Sequence, residues 1–212
     1  MDGDGYPRMV TRTLSEFKAV NVKLSAVVEL VSDTAPSVEL VVEENVEPHI
    51  VTTVVNETLD ISLGFCFSSH ADIKIRVHYD TLNTIITSGP GDVFSKTIMR
   101  QNDLNLIVNS SGDINLTTNL RNLNSTIKGT GAIAINGQVK THIINHANSG
   151  TVNTYQSVTD SAIVNSTGNG NCYLRVFNSL TTNLSSNGSV FYKGHPKITE
   201  NITGKGKLVD AN

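Results

Sequence analysis

The sequence predicts an all-β fold: a right-handed parallel β-helix (solenoid) of 18–21-residue Gly-turn repeats, preceded by longer N-terminal strands packed into the same domain. Three observations predict it. Gly91, Gly112, Gly131, Gly150, Gly170, Gly188 and Gly206 are separated by 21, 19, 19, 20, 18 and 18 residues. Two places after each glycine stands an apolar residue: Val93, Ile114, Ile133, Val152, Cys172, Val190 and Leu208. The 212 residues include 23 Asn, 23 Thr and 20 Ser but are only 17% charged. Such side chains compete for backbone hydrogen bonds inside helices and so disfavour long ones. A strand–turn–strand unit of this size cannot bury its apolar face alone, whereas stacked units share a continuous core. Propeller blades need about twice the period, and leucine-rich repeats need another consensus.

The chain changes character near Asp80. Residues 1–80 carry 13 acidic and 6 basic residues, a formal charge of −7, and three Asn. Residues 81–212 carry 6 acidic and 10 basic residues, a charge of +4, and 20 Asn. No Pro/Gly/Ser linker marks the change. We therefore read an N-terminal tail over residues 1–11, a β-strand region over 12–80 and β-helix repeats over 81–212, with 12–208 as one continuous domain. An all-β domain of this length is ordinary.

In the strand region, Phe17–Leu24 alternates imperfectly between apolar and polar residues, and Val38–Glu43 alternates better. Leu59–Leu63 and Ile73–Val77 alternate cleanly, as half-buried strands do. Turn signals separate them at Ser32–Ser37, Asn56–Thr58 and Ser68–Asp72.

In the repeats, the column eight residues before the glycine holds Leu104, Leu123, His142, Ala162, Leu180 and Ile198. The column four before it holds Val108, Ile127, His146, Ser166, Leu184 and Ile202. Both read as inward positions. Five before the glycine stand Asn145, Asn165, Asn183 and Asn201. Equivalent residues of successive coils lie about 4.8 Å apart, so these amides are placed to hydrogen-bond up the stack. The last coil exposes an open edge flanked by Lys205 and Lys207. Lysines guard such edges, which argues against end-to-end polymerisation.

These residues resemble the putative auto-transporter adhesin, head GIN domain family of bacterial exported proteins, over roughly residues 12–208. The resemblance is carried by Arg12–Val22, Val38–Asn45 and Asn56–Ile61. It continues in the Ser-Gly-x-Gly-Asp-Val/Ile turns, cleanest at Ser88–Val93 and Ser110–Ile114. The sequence departs from that pattern where Asp gives way to Ala132, Thr151, Asn171, Ser189 and Lys207, and where Asn148 replaces a glycine. The resemblance implies a β-helical fold and a Gram-negative, Bacteroides-like envelope location, periplasmic or at the outer membrane or cell surface. The first residues lack the basic and apolar regions of a leader, so an exported protein would be seen here as the mature chain.

Candidate chemistry is sparse. Asp92 and Asp113 occupy equivalent places in adjacent coils. They are weak candidates for a Ca²⁺ site, which wants six to eight oxygens, or for the acid pair of a polysaccharide-degrading β-helix. The plainer reading is a Gly-Asp turn, and no third carboxylate or lyase base joins them. His142 and His146 would share a helix face. In a strand they stand about 13 Å apart at about 3.3 Å per residue, which makes them core histidines. Cys172 reads as a small buried hydrophobe, while Cys66 lies between Phe65 and Phe67 with its burial open. The Gly-x-Gly turns precede strands, not the helix that a phosphate loop requires.

The net charge of −3 gives no footprint for nucleic acid, and no apolar run reaches the length of a membrane helix. No cofactor motif is present. The reading is a non-enzymatic envelope or cell-surface module, an adhesin whose partner is a host or surface glycan or protein. The alternatives are a pectin-type polysaccharide lyase or hydrolase and an envelope scaffold or lipid-associated protein.

Overall fold

The computed structural model describes residues 6–64 and 73–212. Cys66 and the turn read at Ser68–Asp72 lie outside the described residues. The N-terminal region contributes β1 (Pro7–Thr13), β2 (Ala19–Val22), β3 (Val27–Ser32), β4 (Ser37–Glu43), β5 (Ile50–Val55), β6 (Thr58–Leu63) and β7 (Lys74–Tyr79). The coils follow as β8 (Thr84–Thr87), β9 (Asp92–Ser95), β10 (Met99–Val108), β11 (Ile114–Ile127), β12 (Ala132–His146) and β13 (Thr151–Ser166). The last are β14 (Cys172–Leu184), β15 (Val190–Lys193), β16 (Lys197–Ile202) and β17 (Leu208–Asp210). All are hydrogen-bonded into one sheet network that winds as a β-solenoid of about seven turns.

From β8 onward the pairing is parallel and follows the repeat. Ile114 faces Ile133, Ile133 faces Val152, Val152 faces Cys172 and Cys172 faces Val190. From Val93 to Val190 the apolar column two residues after the glycine is thus a stack of buried side chains, and Leu208 at the open end is half-buried. Each long strand turns a corner within its length. In β11 burial alternates through Leu120, slips by one residue, and resumes at Leu123. Gly137, with φ of +102°, and Gly194, with φ of +95°, sit at such corners, where an L side chain would be strained.

Stacking explains the recurring glycine. A Cβ on Gly131 would lie 2.2 Å from the carbonyl oxygen of Gly112, and one on Gly170 would lie 1.8 Å from that of Gly150. The turns of successive coils rest on one another's backbone, so the column admits only hydrogen. The same contact recurs for Gly112, Gly150, Gly188 and Gly206, each against the glycine one coil before it; Gly91 instead meets the Leu24 carbonyl at 2.4 Å.

The N-terminal strands do not stack in chain order. β2 lies between β6 and β8, and β3 lies between β7 and β9. The 19–32 segment is therefore a rung inserted between two rungs that come later in the sequence. Antiparallel strands close that end. β1 pairs with β4, β4 with β7, and β5 forms a hairpin with β6. The hairpin turn Asn56-Glu57 has positive φ at both residues, as a two-residue turn between twisted strands demands. Pro7–Thr13, partly inside the stretch read as a tail, is the outer strand of this cap.

Arg12 fastens the cap. Its guanidinium donates to the Ile50 carbonyl at 2.6 Å, the Thr52 hydroxyl at 3.1 Å and the Glu47 carbonyl at 3.1 Å, and it pairs with the Glu47 carboxylate. At the other end β16 pairs only with β14 among the described residues, and all six of its residues are exposed.

Candidate functional site

The residues singled out by sequence serve the stack. Asp92 Oδ1 accepts the Asp113 N–H at 2.9 Å, and Asp113 Oδ1 accepts the Ala132 N–H at 2.7 Å. Further along the same column, Asn171 Oδ1 accepts the Ser189 N–H at 2.9 Å and Ser189 Oγ accepts the Lys207 N–H at 3.1 Å. A side-chain oxygen here caps the backbone of the next coil, which Asp, Asn and Ser all do. That accounts for the departures from Asp at Asn171 and Ser189. Among the described residues no group of three His, Cys, Asp or Glu is placed to hold a metal ion.

The Asn column forms a ladder: Asn165 donates to Asn145 at 3.1 Å and Asn183 to Asn165 at 2.9 Å. Asn201 stands in register with Asn183 on the last rung. A second ladder that the sequence reading missed runs from Asn124 to Asn105 at 3.0 Å.

His142 and His146 point inward and are buried. The Ser125 hydroxyl meets His142 Nε2 at 2.8 Å. Burial pulls the His142 pKa down to about 3, so the ring is neutral at physiological pH. His146 Nε2 donates to the Gly150 carbonyl at 2.7 Å, fastening the turn of its own coil. Burial lowers the His146 pKa and that bond opposes the shift. Cys172 is a buried free thiol, its pKa pushed up to about 12 by burial, and so is not a thiolate nucleophile.

What remains is on the outside. Three residues after each reference glycine, one outward column runs the length of the solenoid. Arg76 faces Glu29, which faces Phe94, and Asn115, Ala134, Asn153, Tyr173, Phe191 and Val209 continue the line. Five residues after the glycine lie Lys96, Thr117, Asn136, Tyr155, Arg175 and Lys193. The two columns thus pass from charged, through uncharged, to aromatic and cationic.

At the N-terminal end the charges satisfy one another. Glu29 pairs with Lys96 at 2.9 Å and with Arg76 at 3.3 Å, and Arg76 reaches Glu39 at 3.3 Å. Burial works against the ionised form of Glu29, but its two cations prevail and hold its carboxyl below the usual range. A cavity of about 260 Å³ between these strands, lined by Val27, Val41, Lys74 and Phe94, shares this balanced set.

At the C-terminal end the rings gather, and the neighbouring carboxylate of Asp210 is engaged with Tyr192 and Asn212. Tyr173 stacks on Phe191 at 5.1 Å with 14° between planes, and Tyr155 meets the edge of Tyr173 at 5.6 Å and 72°. The pairing of β13 with β14 shifts register between Thr154 and Thr159. Such an irregularity re-aims a side chain, and it accompanies the tilt of Tyr155. Lys193 Nζ lies 4.9 Å over the Tyr155 ring, and the Arg175 guanidinium lies 5.6 Å over Phe177, which is 44% exposed. Burial, then the neighbouring Tyr173, raises the Tyr155 pKa. Among the described residues, neither Arg175 nor Lys193 has a carboxylate partner; every ion pair lies between Arg8 and Lys96. The sequence signal existed at offsets of three and five from the glycine, outside the inward and turn columns on which the repeat was recognised.

The sequence profile of the putative auto-transporter adhesin, head GIN domain family matches residues 16–196, and the chain belongs to that family. Its fold is shared with a putative adhesin from Bacteroides fragilis, at a TM-score of 0.89 and 19% identity over 98% of both chains. A putative adhesin from Parabacteroides merdae gives 0.76 and 16% over 99% of both chains. A putative lipid binding protein from Parabacteroides distasonis gives 0.72 and 21% over 99% of both chains. No curated protein matches the chain. No helix long and apolar enough to cross a membrane occurs among the described residues.

Proposed function

We propose that this member of the head GIN domain family is a non-catalytic binding module of the bacterial envelope, an adhesin that offers the outward face of its coils to a surface glycan or protein. The observation that carries this reading is the outward ring and cation cluster on the sheet: half-buried Tyr155, Tyr173 and Phe191 beside exposed Phe177, Arg175 and Lys193. Aromatic side chains and Arg are the groups that dominate binding surfaces. Here they are mounted on strands, so little ordering cost falls due when a partner binds.

Family membership and the Bacteroides and Parabacteroides structural relatives support an exported, surface-facing setting. A hydrolytic or eliminating activity would need an acid or base free to act. One oxygen of each of Asp92 and Asp113, Oδ1, accepts a backbone N–H of the next coil, a structural use of the pair.

Binding of the purified protein to an array of glycans and immobilised matrix proteins tests the reading. Saturable binding to at least one class is expected, and its loss in Tyr173→Ala would place the contact. No binding above background on any surface, or release of new reducing or unsaturated ends from a bound glycan, would overturn it.

A further inference from the structure

We infer that the C-terminal ring and cation cluster takes an acidic polysaccharide, a linear chain of pyranose units bearing carboxylate or sulfate, laid along the solenoid axis. The inference deepens the binding reading above and rests on it.

The first argument is charge. Lys96, Arg76 and Lys18 are each engaged with a carboxylate at 2.5–3.3 Å, so these three N-terminal cations are already spent. Arg175 and Lys193 stand in register on β14 and β15; both are exposed, each lies over an aromatic ring, and among the described residues neither has an ion-pair partner. Two adjacent cations with no ion-pair partner among the described residues, one strand spacing or about 4.8 Å apart, are complementary to anionic groups that repeat along a chain.

The second argument is the rings. Tyr155, Tyr173 and Phe191 are half-buried and contact one another. Phe177 on β14, 44% exposed, adds a fourth ring, so partly exposed aromatic surface lies on β13–β15. The axial C–H groups of a pyranose fit such a surface, while its hydroxyls need hydrogen-bonding neighbours. The same two columns supply them toward the N-terminus in Asn153, Asn136, Asn115 and Thr117.

The third argument is periodicity. Side chains recur once per coil along a straight line, and a 1,4-linked sugar chain advances by close to one coil spacing per residue. From Phe94 to Phe191 the line covers five steps, or roughly 24 Å at about 4.8 Å each. Many weak contacts in register give affinity through multivalency without a deep pocket. A nucleic acid would also bring phosphates and stacking bases. Its charge density calls for a long basic track, whereas this chain has a net charge of −3 and only two cations here.

The test compares polygalacturonate and chondroitin sulfate with dextran and poly(dT), each immobilised and titrated with the full chain at two salt concentrations. The inference expects saturable binding to at least one acidic polysaccharide, tenfold or more tighter than to dextran or poly(dT) and weakened by salt. It expects Arg175→Ala/Lys193→Ala to weaken that binding at least tenfold with an unchanged thermal midpoint. Tyr173→Leu should do the same, while Lys18→Ala stays within twofold of the parent.

Equal affinity for dextran, tighter binding to poly(dT), or full affinity in the Arg175→Ala/Lys193→Ala protein would overturn it. If the acidic polymers fail while another array ligand binds and is lost in Tyr173→Leu, this inference falls and the binding-module reading stands. If nothing binds anywhere, both fall.

Discussion

The two ends of the solenoid are built by different means. The N-terminal region, through Lys96, has a buried core that is apolar apart from Thr87, and a surface laced by ion pairs. It stacks out of chain order and ends in antiparallel strands clamped by Arg12. The coils beyond it reverse each choice. Their interior admits Thr118, Ser125, His142, His146, Thr154, Ser157, Thr159, Ser166 and Thr182. Their surface is tied by amide ladders, and their order follows the sequence.

The difference teaches how a repeat protein divides labour. A solenoid needs one end that stops the sheet, and stopping it takes irregular pairing and charge. The remaining coils need only repeat their backbone contacts. Outward positions away from the amide ladders and the turn column are thereby released from structural duty, and the unpaired cations and rings are found there.

The comparison is broken most severely at the stacked glycines. Gly170→Val should destabilise the fold by more than about 4 kcal/mol, the range reserved for gross steric conflict, because even its Cβ would meet the Gly150 oxygen. Gly64→Ala, in the N-terminal region, has its nearest neighbour at 3.6 Å and should stay within about 0.5 kcal/mol. Equilibrium urea unfolding of the two variants reads the contrast directly.

Acid separates the two regions next. His142 is neutral in the fold with a pKa near about 3, against 6.5 unfolded. The unfolded chain therefore binds the extra proton first. Stability present above pH 6.5 is lost as pH falls toward 3, by up to about 1.4 kcal/mol per pH unit. Hydrogen exchange should show amides of β11–β13 opening at pH 4 before those of β2–β4, and His142→Leu should flatten the dependence.

A smaller effect belongs to the cap. Arg12→Ala removes the donor to the Ile50 and Glu47 carbonyls and should cost about 1–3 kcal/mol. Limited proteolysis should then cut first within β1 or β5.

The smallest effect sharpens the account of the turn column. Asp113→Asn keeps an oxygen for the Ala132 N–H and should be neutral within about 0.5 kcal/mol, whereas Asp113→Ala should cost about 1 kcal/mol, the net worth of a typical hydrogen bond. Thermal melts of both proteins would show it, and added Ca²⁺ should shift neither.

The coils were legible because their constraint is strictly periodic. A backbone oxygen excludes a Cβ at Gly112, Gly131 and Gly170, and a buried stack demands Val, Ile or Leu two residues on, so chemistry repeats where geometry repeats. The same logic placed His142 and His146 in the interior and Asn145, Asn165 and Asn183 in a ladder. The N-terminal order was not legible, because nothing local in Val20–Leu30 tells that its strand partners are Leu59–Ile61 and Ile75–Val77 on one side and Ile85–Thr87 and Val93–Ser95 on the other. β1, β3 and β5 went unread for a related reason: their pairing partners, not their own alternation, make them strands. The outward ring cluster was half legible. Tyr173 and Phe191 share one offset from the glycine and Tyr155, Arg175 and Lys193 share another, but the bare repeat does not distinguish a ligand-bearing column from a solvated one. Only the contacts among the rings and the lack of an ion-pair partner for Arg175 and Lys193 among the described residues make that distinction.

The division between a structural end and a presenting face is tested most directly by mapping where a bound ligand protects the protein. Hydrogen–deuterium exchange, run with and without saturating amounts of whichever array ligand binds most tightly, reads it in one experiment. The account predicts added protection confined to peptides spanning Thr151–Lys193, with β1–β7 unchanged. Protection centred on β1–β7, or spread evenly along the solenoid, would contradict it.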